Sequence, residues 1–256
     1  MRIVQEPQVF LIARQQLDEA AVARFIQGEG MTWETDAPSA AEKVVEVGGR
    51  VCYMSFGKGR KTNGEYITNI LEAKHGSVIE HATWTFLFTG VSRSLTHELI
   101  RHRSGFSYSQ MSQRYVDETT AYFVEPAAIA ANPAAHAAFE RAVTAAQAAY
   151  VELVDLLDTQ FAEVKNKTQR RKMARQAARA VLPNATETKI VVTANARAWR
   201  HFIEMRASAY SEPEIRRLAI AVLRILQHEA PNLFGDYEIV AAEDGSEVAV
   251  TPHMKV

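Results

Sequence analysis

His81-Ala-Thr-Trp-Thr-Phe-Leu-Phe-Thr89 alternates without a break, with Ala82, Trp84, Phe86 and Phe88 on one side and Thr83, Thr85, Leu87 and Thr89 on the other. A period of two held over this length predicts a half-buried strand. Beyond it, Ser92 or Ser94 is placed to cap a helix carrying Leu95, Leu99 and Arg101 to Arg103. Arginines at such a helix end complement the negative pole of its dipole. The helix is expected to open into a polar loop, Ser104 to Met111. The segment Arg101–Tyr115, RHRSGFSYSQMSQRY, concentrates the guanidinium groups of Arg101, Arg103 and Arg114 among neutral donors and acceptors from Ser107, Ser109, Gln110, Ser112 and Gln113. Planar guanidinium forks match phosphate or carboxylate oxygens, so the segment suits an anionic ligand. A solvated basic helix end is the plain alternative.

Towards the N-terminus, Val9 to Ile12 reads as a short strand. A helix from about Asp18 to Gln27 should stop at Gly28 and Gly30, and a second helix starts after Ser39. Gly57, Gly59 and Gly64 predict a loop whose spacing is wrong for a dinucleotide fingerprint, with Lys58 and Lys61 on its surface. Towards the C-terminus, Asn132-Pro133 caps a long helix in which Phe139, Val143, Ala146, Tyr150, Leu153, Leu157, Phe161 and Val164 recur mostly at steps of three and four. That stripe suits core or a subunit interface. A helix over Arg170 to Val181 should stop near Pro183, and Thr188 to Thr193 reads as a strand. Helices from about Arg197 to Ala207 and from Glu214 to His228 follow, the second turning Ile215, Leu218, Val222 and Ile225 inward. The tail after about residue 243 is expected to be peripheral.

At 256 residues, 47% hydrophobic and 23% charged, the chain reads as one large globular domain over 1–256. Its formal net charge of −1 disfavours nucleic-acid binding by bulk attraction, so any basic site is a local concentration. Seven basic residues and no acid lie between Lys165 and Arg179, with Arg171, Arg175 and Arg179 at helical spacing. Cys52 is the single cysteine, which excludes an internal disulfide or a cysteine-rich metal site and fits a reducing cytoplasm. Its apolar setting, GRVCYMSF, predicts a small buried core residue. No window approaches eighteen consecutive apolar residues, and Gln5, Glu6, Gln15 and Asp18 interrupt the start, so neither membrane insertion nor secretion is expected.

The segment opening at Arg101 resembles the signature of the flavin-dependent thymidylate synthases, ThyX: Arg-His-Arg, seven residues, then Ser. Here Ser112 follows after eight residues, an insertion of one. The tail Ser112–Tyr115, SQRY, and the preceding Ser92–Ile100, SRSLTHELI, agree with that family. So do three further blocks in order: KHGSVIEH with His75, Ser77, Glu80 and His81; ARAVLP with Arg179; and Asn195 to Arg206, NARAWRHFIEMR. Together they cover roughly residues 50 to 235. The resemblance implies an α+β fold, a mixed or antiparallel sheet packed with long helices, in a homotetramer whose active sites are shared between subunits.

It also implies C5-methylation of dUMP to dTMP, with methylenetetrahydrofolate as carbon donor, FAD as hydride carrier and NADPH as reductant, and without a cysteine nucleophile. By match to the family, Arg93, Glu98, Gln110, Ser112, Gln113, Arg114, Arg179 and Arg206 are expected to contact the nucleotide, with Arg206 at the uracil edge as the catalytic residue. His75, Ser77, Glu80, Arg101, His102, Arg103, Asn195, Arg197 and His201 are the FAD contacts the resemblance implies. No metal, nucleic-acid or membrane partner is implied. Taken alone, Glu80 reads equally as a turn acid, His75 as a helix-terminal cation and His201 as a surface residue four from Arg197. The extra residue between Ser104 and Met111 leaves UMP open as a substrate beside dUMP, or is neutral if Ser104-Gly105 bulges outward. Outside this class stand two weaker readings. His97-Glu98-Leu99-Ile100-Arg101-His102 imitates a zinc hydrolase, but its histidines are five apart where one helical face needs four. The Lys165 to Arg179 run imitates an RNA-binding helix without a recognisable stacking motif.

Overall fold

A computed structural model describes residues 2–256. Its strands are β1 (Arg2–Val4), β2 (Gln8–Arg14), β3 (Thr83–Ser92), β4 (Phe106–Gln110), β5 (Tyr122–Val124), β6 (Glu187–Asn195), β7 (Glu238–Ala241) and β8 (Glu247–Val250). Its helices are α1 (Glu19–Gly28), α2 (Ala40–Tyr53), α3 (Asn63–Glu72), α4 (Gly76–Ile79), α5 (Arg93–Leu99), α6 (Ala127–Ala130), α7 (Pro133–Gln160), α8 (Lys167–Ala178), α9 (Ala196–Arg206), α10 (Pro213–Glu229) and α11 (Pro231–Phe234). The fold is α+β. A four-stranded sheet has the order β2-β3-β6-β4, β1 pairs in parallel with β5, and β7 with β8 forms an antiparallel hairpin. The chain falls into two compact units. The first comprises the chain up to Gln8, Phe88–Arg101 and Ser109–Val191; the second comprises Val9–Leu87, His102–Tyr108 and Val192–Val256.

In the second unit, β3 alternates as its sequence requires: Trp84 and Phe86 are buried while Thr83 and Thr85 are half-buried. Thr85 Oγ1 lies 2.9 Å from Thr193 Oγ1, a cross-strand pair between β3 and β6. Helix α9 lays Trp199, Phe202 and Ile203 into this core, and α10 adds Ile215, Leu218, Val222 and Leu226, all fully buried. Asp18 and Ser39 cap α1 and α2. Gly57 and Gly59 do lie in a loop, with φ of 69° and 79°, but Gly64 belongs to the first turn of α3. That loop is held from inside by buried Arg50, which donates to the carbonyls of Ser55, Lys58 and Arg60 at 2.9, 2.9 and 3.2 Å and whose Nε reaches Glu46 at 2.7 Å.

One expectation fails in this unit. Cys52 is exposed: α2 buries Val45, Glu46, Gly49 and Arg50, and a residue two positions past Arg50 points to the opposite side of a helix. The stretch after residue 243 is mostly exposed but tied to the rest of the unit at a few points. Val248 is buried, Ala249 N donates to Ala207 O at 2.8 Å, and Arg200 Nη2 donates to His253 O at 3.2 Å. Arg200 is nearly fully buried and bidentate with Asp236 at 2.6 and 2.7 Å, and the carbonyls of Leu233 and His253 also accept from its Nη1 and Nη2.

In the first unit, Ser92 caps α5, which ends at Leu99, so Arg101 to Arg103 lie past the helix rather than on it. The expected polar loop is also corrected, since Phe106 to Gln110 form β4. Alternating Phe106, Tyr108 and Gln110 against Ser107 and Ser109 carries a strand period that the serines disguise. Asn132 caps α7, whose stripe buries Val143 and Tyr150; Phe139 packs beside Val143, Phe123 and Ala121. The helix stops at Gln160, leaving Phe161 and Val164 beyond it, and α8 ends at Ala178 before a short turn of 3-10 helix at Arg179–Val181.

Near the start of α7, His136 Nδ1 stands 2.7 Å from Oε1 of fully buried Glu125, whose other oxygen accepts from Gln5 Nε2 at 3.0 Å. The hydrogen bond to Glu125 raises the His136 pKa above its ordinary value, against a smaller desolvation effect and with help from the charges of Glu125 and Glu140. A raised folded pKa means stability gained in full below the unfolded value and lost as pH rises through the folded one. The stability deficit of His136→Gln should therefore be largest at pH below about 6.5 and shrink towards neutral and alkaline pH. Urea titrations of both proteins across that range check it; a deficit independent of pH would show that the ring contributes only packing.

Candidate functional site

Three arginines of the first unit, Arg93, Arg114 and Arg175, each keep a buried nitrogen without a hydrogen-bond partner among the described residues, as Arg200 does in the second. Arg93 opens α5, half-buried; its Nη1 is buried and has no hydrogen-bond partner among the described residues. Burial lowers its pKa; buried Glu118 opposes that shift and the positive charge of Arg179 adds to it. Arg114 follows Ser112, whose Oγ accepts from Arg114 N at 3.4 Å, and its Nε is likewise buried without a partner. A buried guanidinium N–H left unmade is costly unless something outside the fold completes it. Arg179 is exposed on the short turn after α8. Gln110, at the end of β4, commits its amide nitrogen to Thr96 Oγ1 at 3.1 Å, with Thr188 Oγ1 at 3.4 Å. Gln113 is buried beside Glu118, and Glu98 lies half-buried in the last turn of α5.

Glu118 is a residue that the sequence reading did not single out. Burial raises its pKa while the Arg93 charge lowers it, and its backbone N–H donates to Tyr150 Oη at 3.4 Å. Arg175, which the sequence offers only as one of three arginines at helical spacing, is another. It is half-buried and donates to Tyr115 O and Asp117 Oδ2, each at 2.7 Å, which fixes the chain just past Ser112–Tyr115. No local pattern announces either residue. Tyr150 lay in the α7 stripe as a core aromatic, and nothing in its spacing distinguishes a phenol used as an acceptor.

The second unit gathers most of the remaining candidates. His75, Ser77 and Glu80 are exposed in and beside α4. Arg197, in the first turn of α9, pairs with Glu80 at 2.7 Å and donates to Val256 O at 3.2 Å. Asn195 caps α9 by accepting from Ala198 N at 2.9 Å, leaving its amide NH2 as the unspent end. His102 is half-buried, its ring 5.8 Å from that of His201, 5.9 Å from Phe106 and 5.3 Å from Phe202. Arg206, the last residue of α9, donates from Nε to His102 Nε2 at 3.1 Å. Burial first, then the charges of Arg206 and His201, hold the His102 pKa down at about 4, so the ring is neutral near pH 7. Arg103, in this unit, and Arg101, in the first, are exposed cations with no ion pair among the described residues. An exposed guanidinium fork of this kind matches the paired oxygens of a phosphate.

Gly105 carries the turn that precedes β4, with φ of 74°, a conformation that side chains rarely adopt. The turn is exposed, yet its Cβ direction faces the start of α9. A Cβ there would stand 2.9 Å from Asn195 Nδ2 and 3.0 Å from Ala198 Cβ. Gly105→Ala is therefore expected to disturb Asn195 and the start of α9, weakening flavin binding roughly tenfold with a stability loss of about 1–2 kcal/mol. Flavin fluorescence quenching together with denaturation checks both; unchanged quenching would separate Asn195 from flavin contact.

The family of proteins described as thymidylate synthase complementing protein matches residues 35–232. Among similar proteins, the flavin-dependent thymidylate synthase of Mycobacteroides abscessus is 53% identical over 89% of this chain and 92% of its own. That of Mycolicibacterium gilvum is 53% identical over 91% and 93%, and that of Mycobacterium avium 51% over 89% and 92%. The chain belongs to the flavin-dependent thymidylate synthase family. It is thus a member of an enzyme family, and the ThyX motif blocks all lie within the matched residues, from His75 to Arg206. Within this ThyX chain the zinc-hydrolase imitation loses its geometry, because α5 stops at Leu99 and does not carry His102. The basic run is partly spent on structure as well: Arg170 pairs with Asp158 at 2.9 Å, and Arg175 with Asp117.

Proposed function

We propose that this protein methylates C5 of dUMP to give dTMP, taking the carbon from methylenetetrahydrofolate and the electrons from NADPH through FAD. The observation that carries the nucleotide part is the pair of buried donors, Arg93 Nη1 and Arg114 Nε, that the fold itself leaves unfilled. A phosphate reaching this pair would give both a partner. Arg179 adds charge, Ser112 adds a hydroxyl, and Gln110 and Gln113 add neutral contacts, with Glu98 beside them. In the second unit the free fork of Arg103, with His75, Ser77, Glu80, His102, Asn195, Arg197 and His201, suits the flavin, as does the fork of Arg101 in the first. When bound, the flavin supplies hydride that reduces the transferred carbon to a methyl group.

Loss of a proton from the pyrimidine, or hydride addition at C6, leaves negative charge on the ring. Arg206 is the group we place at that edge, where a preorganised guanidinium stabilises the developing charge. Ser112 binds rather than attacks: its Oγ accepts from Arg114 N, and the structure pairs it with no histidine. The exposed Cys52 thiol donates to Gly48 O at 3.4 Å and has no base or cation bonded to it, which supports a route without thiolate attack. Cys52→Ala is expected to keep turnover within about twofold, a change typical of surface substitutions; loss of turnover in a folded Cys52→Ala protein would restore the thiolate route. We further place the whole chain in one catalytic domain, active as a homotetramer with shared sites and located in the cytoplasm.

UMP remains the rival substrate. The regular β4 and the anchored Gln110 favour dUMP, because the left-handed turn at Gly105 comes before the strand that presents Gln110. The deciding experiment gives the purified protein FAD, NADPH, methylenetetrahydrofolate and equal dUMP and UMP, and identifies methylated products by mass. Predominant dTMP is expected. Predominant 5-methyl-UMP would move the enzyme to ribonucleotide chemistry, and no methylated product would remove the proposed reaction.

A further inference from the structure

One side chain of the Arg-His-Arg triplet is already engaged with another site residue. His102 Nε2 accepts from Arg206 Nε at 3.1 Å, across 104 positions of sequence. An imidazole nitrogen that accepts carries a lone pair, so the ring is neutral with its proton on Nδ1. Its surroundings enforce that state. The ring sits half-buried between Phe106 and Phe202, with Arg206 and His201 facing it, and a second positive charge there is disfavoured. The backbone of His102 is pinned too, since its carbonyl accepts from Tyr108 Oη. His102 is thus held from both ends.

A guanidinium bonded through Nε is fixed both in its plane and in rotation about its long axis, which sets where its two Nη nitrogens point. We propose that His102 is a positioning residue that orients the Arg206 guanidinium for the pyrimidine, rather than only a flavin contact. This deepens the function proposed above and depends on it for the identity of the substrate. Helix α9 supplies both Arg206 and, one turn earlier, Phe202 beneath the His102 ring, so one element carries the arginine and supports the ring that meets it. A freely rotating arginine at a helix end would have to be ordered again in each turnover. An arginine already aligned avoids that cost at the moment charge develops.

The test is a double-mutant cycle with two readouts besides activity. His102→Phe keeps the ring and removes the acceptor; His102→Gln restores a carbonyl acceptor without the ring. At saturating flavin, His102→Phe is expected to lower kcat roughly 10- to 100-fold, the effect of losing a hydrogen bond to a charged group. His102→Gln should recover most of that loss, and in an Arg206→Ala background His102→Phe should change kcat by less than about twofold. Fluorescence quenching measures flavin affinity in every variant, and 15N spectra of histidine-labelled protein report an unprotonated Nε2 on His102 that shifts in Arg206→Ala. Additive losses, or a fall in flavin affinity large enough to account for the lost turnover, overturn the inference while leaving the methylase intact. Wild-type protein that makes no methylated nucleotide defeats the proposed reaction instead. A His102 spectrum unchanged in Arg206→Ala overturns the positioning role whatever the activity.

Discussion

Arg206→Ala is expected to reduce methylation by roughly 10²- to 10³-fold in kcat, the usual consequence of removing one preorganised donor from developing negative charge, about 3–4 kcal/mol of barrier. The protein should still fold. Arg206 is half-buried at the C-terminal end of α9, and its favourable interaction with the helix dipole is worth only about 0.3–1 kcal/mol. Flavin binding should survive, because the cationic forks assigned to the flavin belong to Arg101, Arg103 and Arg197. Single-turnover methylation under saturating dUMP, flavin and folate, beside flavin quenching and a denaturation curve, separates these quantities. Arg206→Lys should restore little, since an ammonium keeps the charge but lacks the planar fork and the Nε–H that meets His102. Full methylation by Arg206→Ala would remove this arginine from the chemistry, and with it the role assigned to His102.

The sequence carried the parts of the fold that have a period or a cap. The alternation of β3, the Ser92 and Asn132 caps, and the apolar stripe of α10 each report local physics, and each appears where its pattern placed it, except that Leu226 is buried where the stripe named Ile225, which is half-buried. The misreadings have equally local causes. Ser107 and Ser109 suggested a loop, although Phe106, Tyr108 and Gln110 supply the inward side of a strand. Cys52 was assigned by the apolarity of its neighbours, whereas the helical phase of α2 turns it outward. For the site, the motif blocks named the arginines but could not say which of their donors the fold consumes. Glu80 and Arg197, both flavin candidates, pair with each other; Arg93 and Arg114 keep buried nitrogens open. Those differences are long-range, as are the Arg175 clamp on Tyr115 and the Glu118 carboxylate near Arg93. A sequence pattern confined to one segment does not encode them.

Trp199→Ala is expected to cost about 3–5 kcal/mol of folding stability, at the top of the range for a single core truncation. Trp199 is fully buried, with Phe86 at 5.1 Å, Phe106 at 5.2 Å and Phe202 at 5.8 Å, all in edge-on arrangements. Such ring pairs add to the area they bury, so the indole's loss is felt on three sides. For a domain whose whole stability is about 5–15 kcal/mol this is a large fraction, readable as a lower urea midpoint with little change in slope. The same ring also underlies the packing around His102. Phe106 begins β4 directly after Gly105, and Phe202 packs under His102, so a cavity at residue 199 loosens two of the surfaces that hold the imidazole. Well below its unfolding midpoint, Trp199→Ala should therefore lose turnover more than flavin affinity, while Trp199→Phe, which refills most of the volume, should recover both stability and turnover. If Trp199→Ala is destabilised as expected but turns over normally while folded, the aromatic floor serves folding alone, and the orientation of Arg206 depends on its hydrogen bond without the packing beneath it.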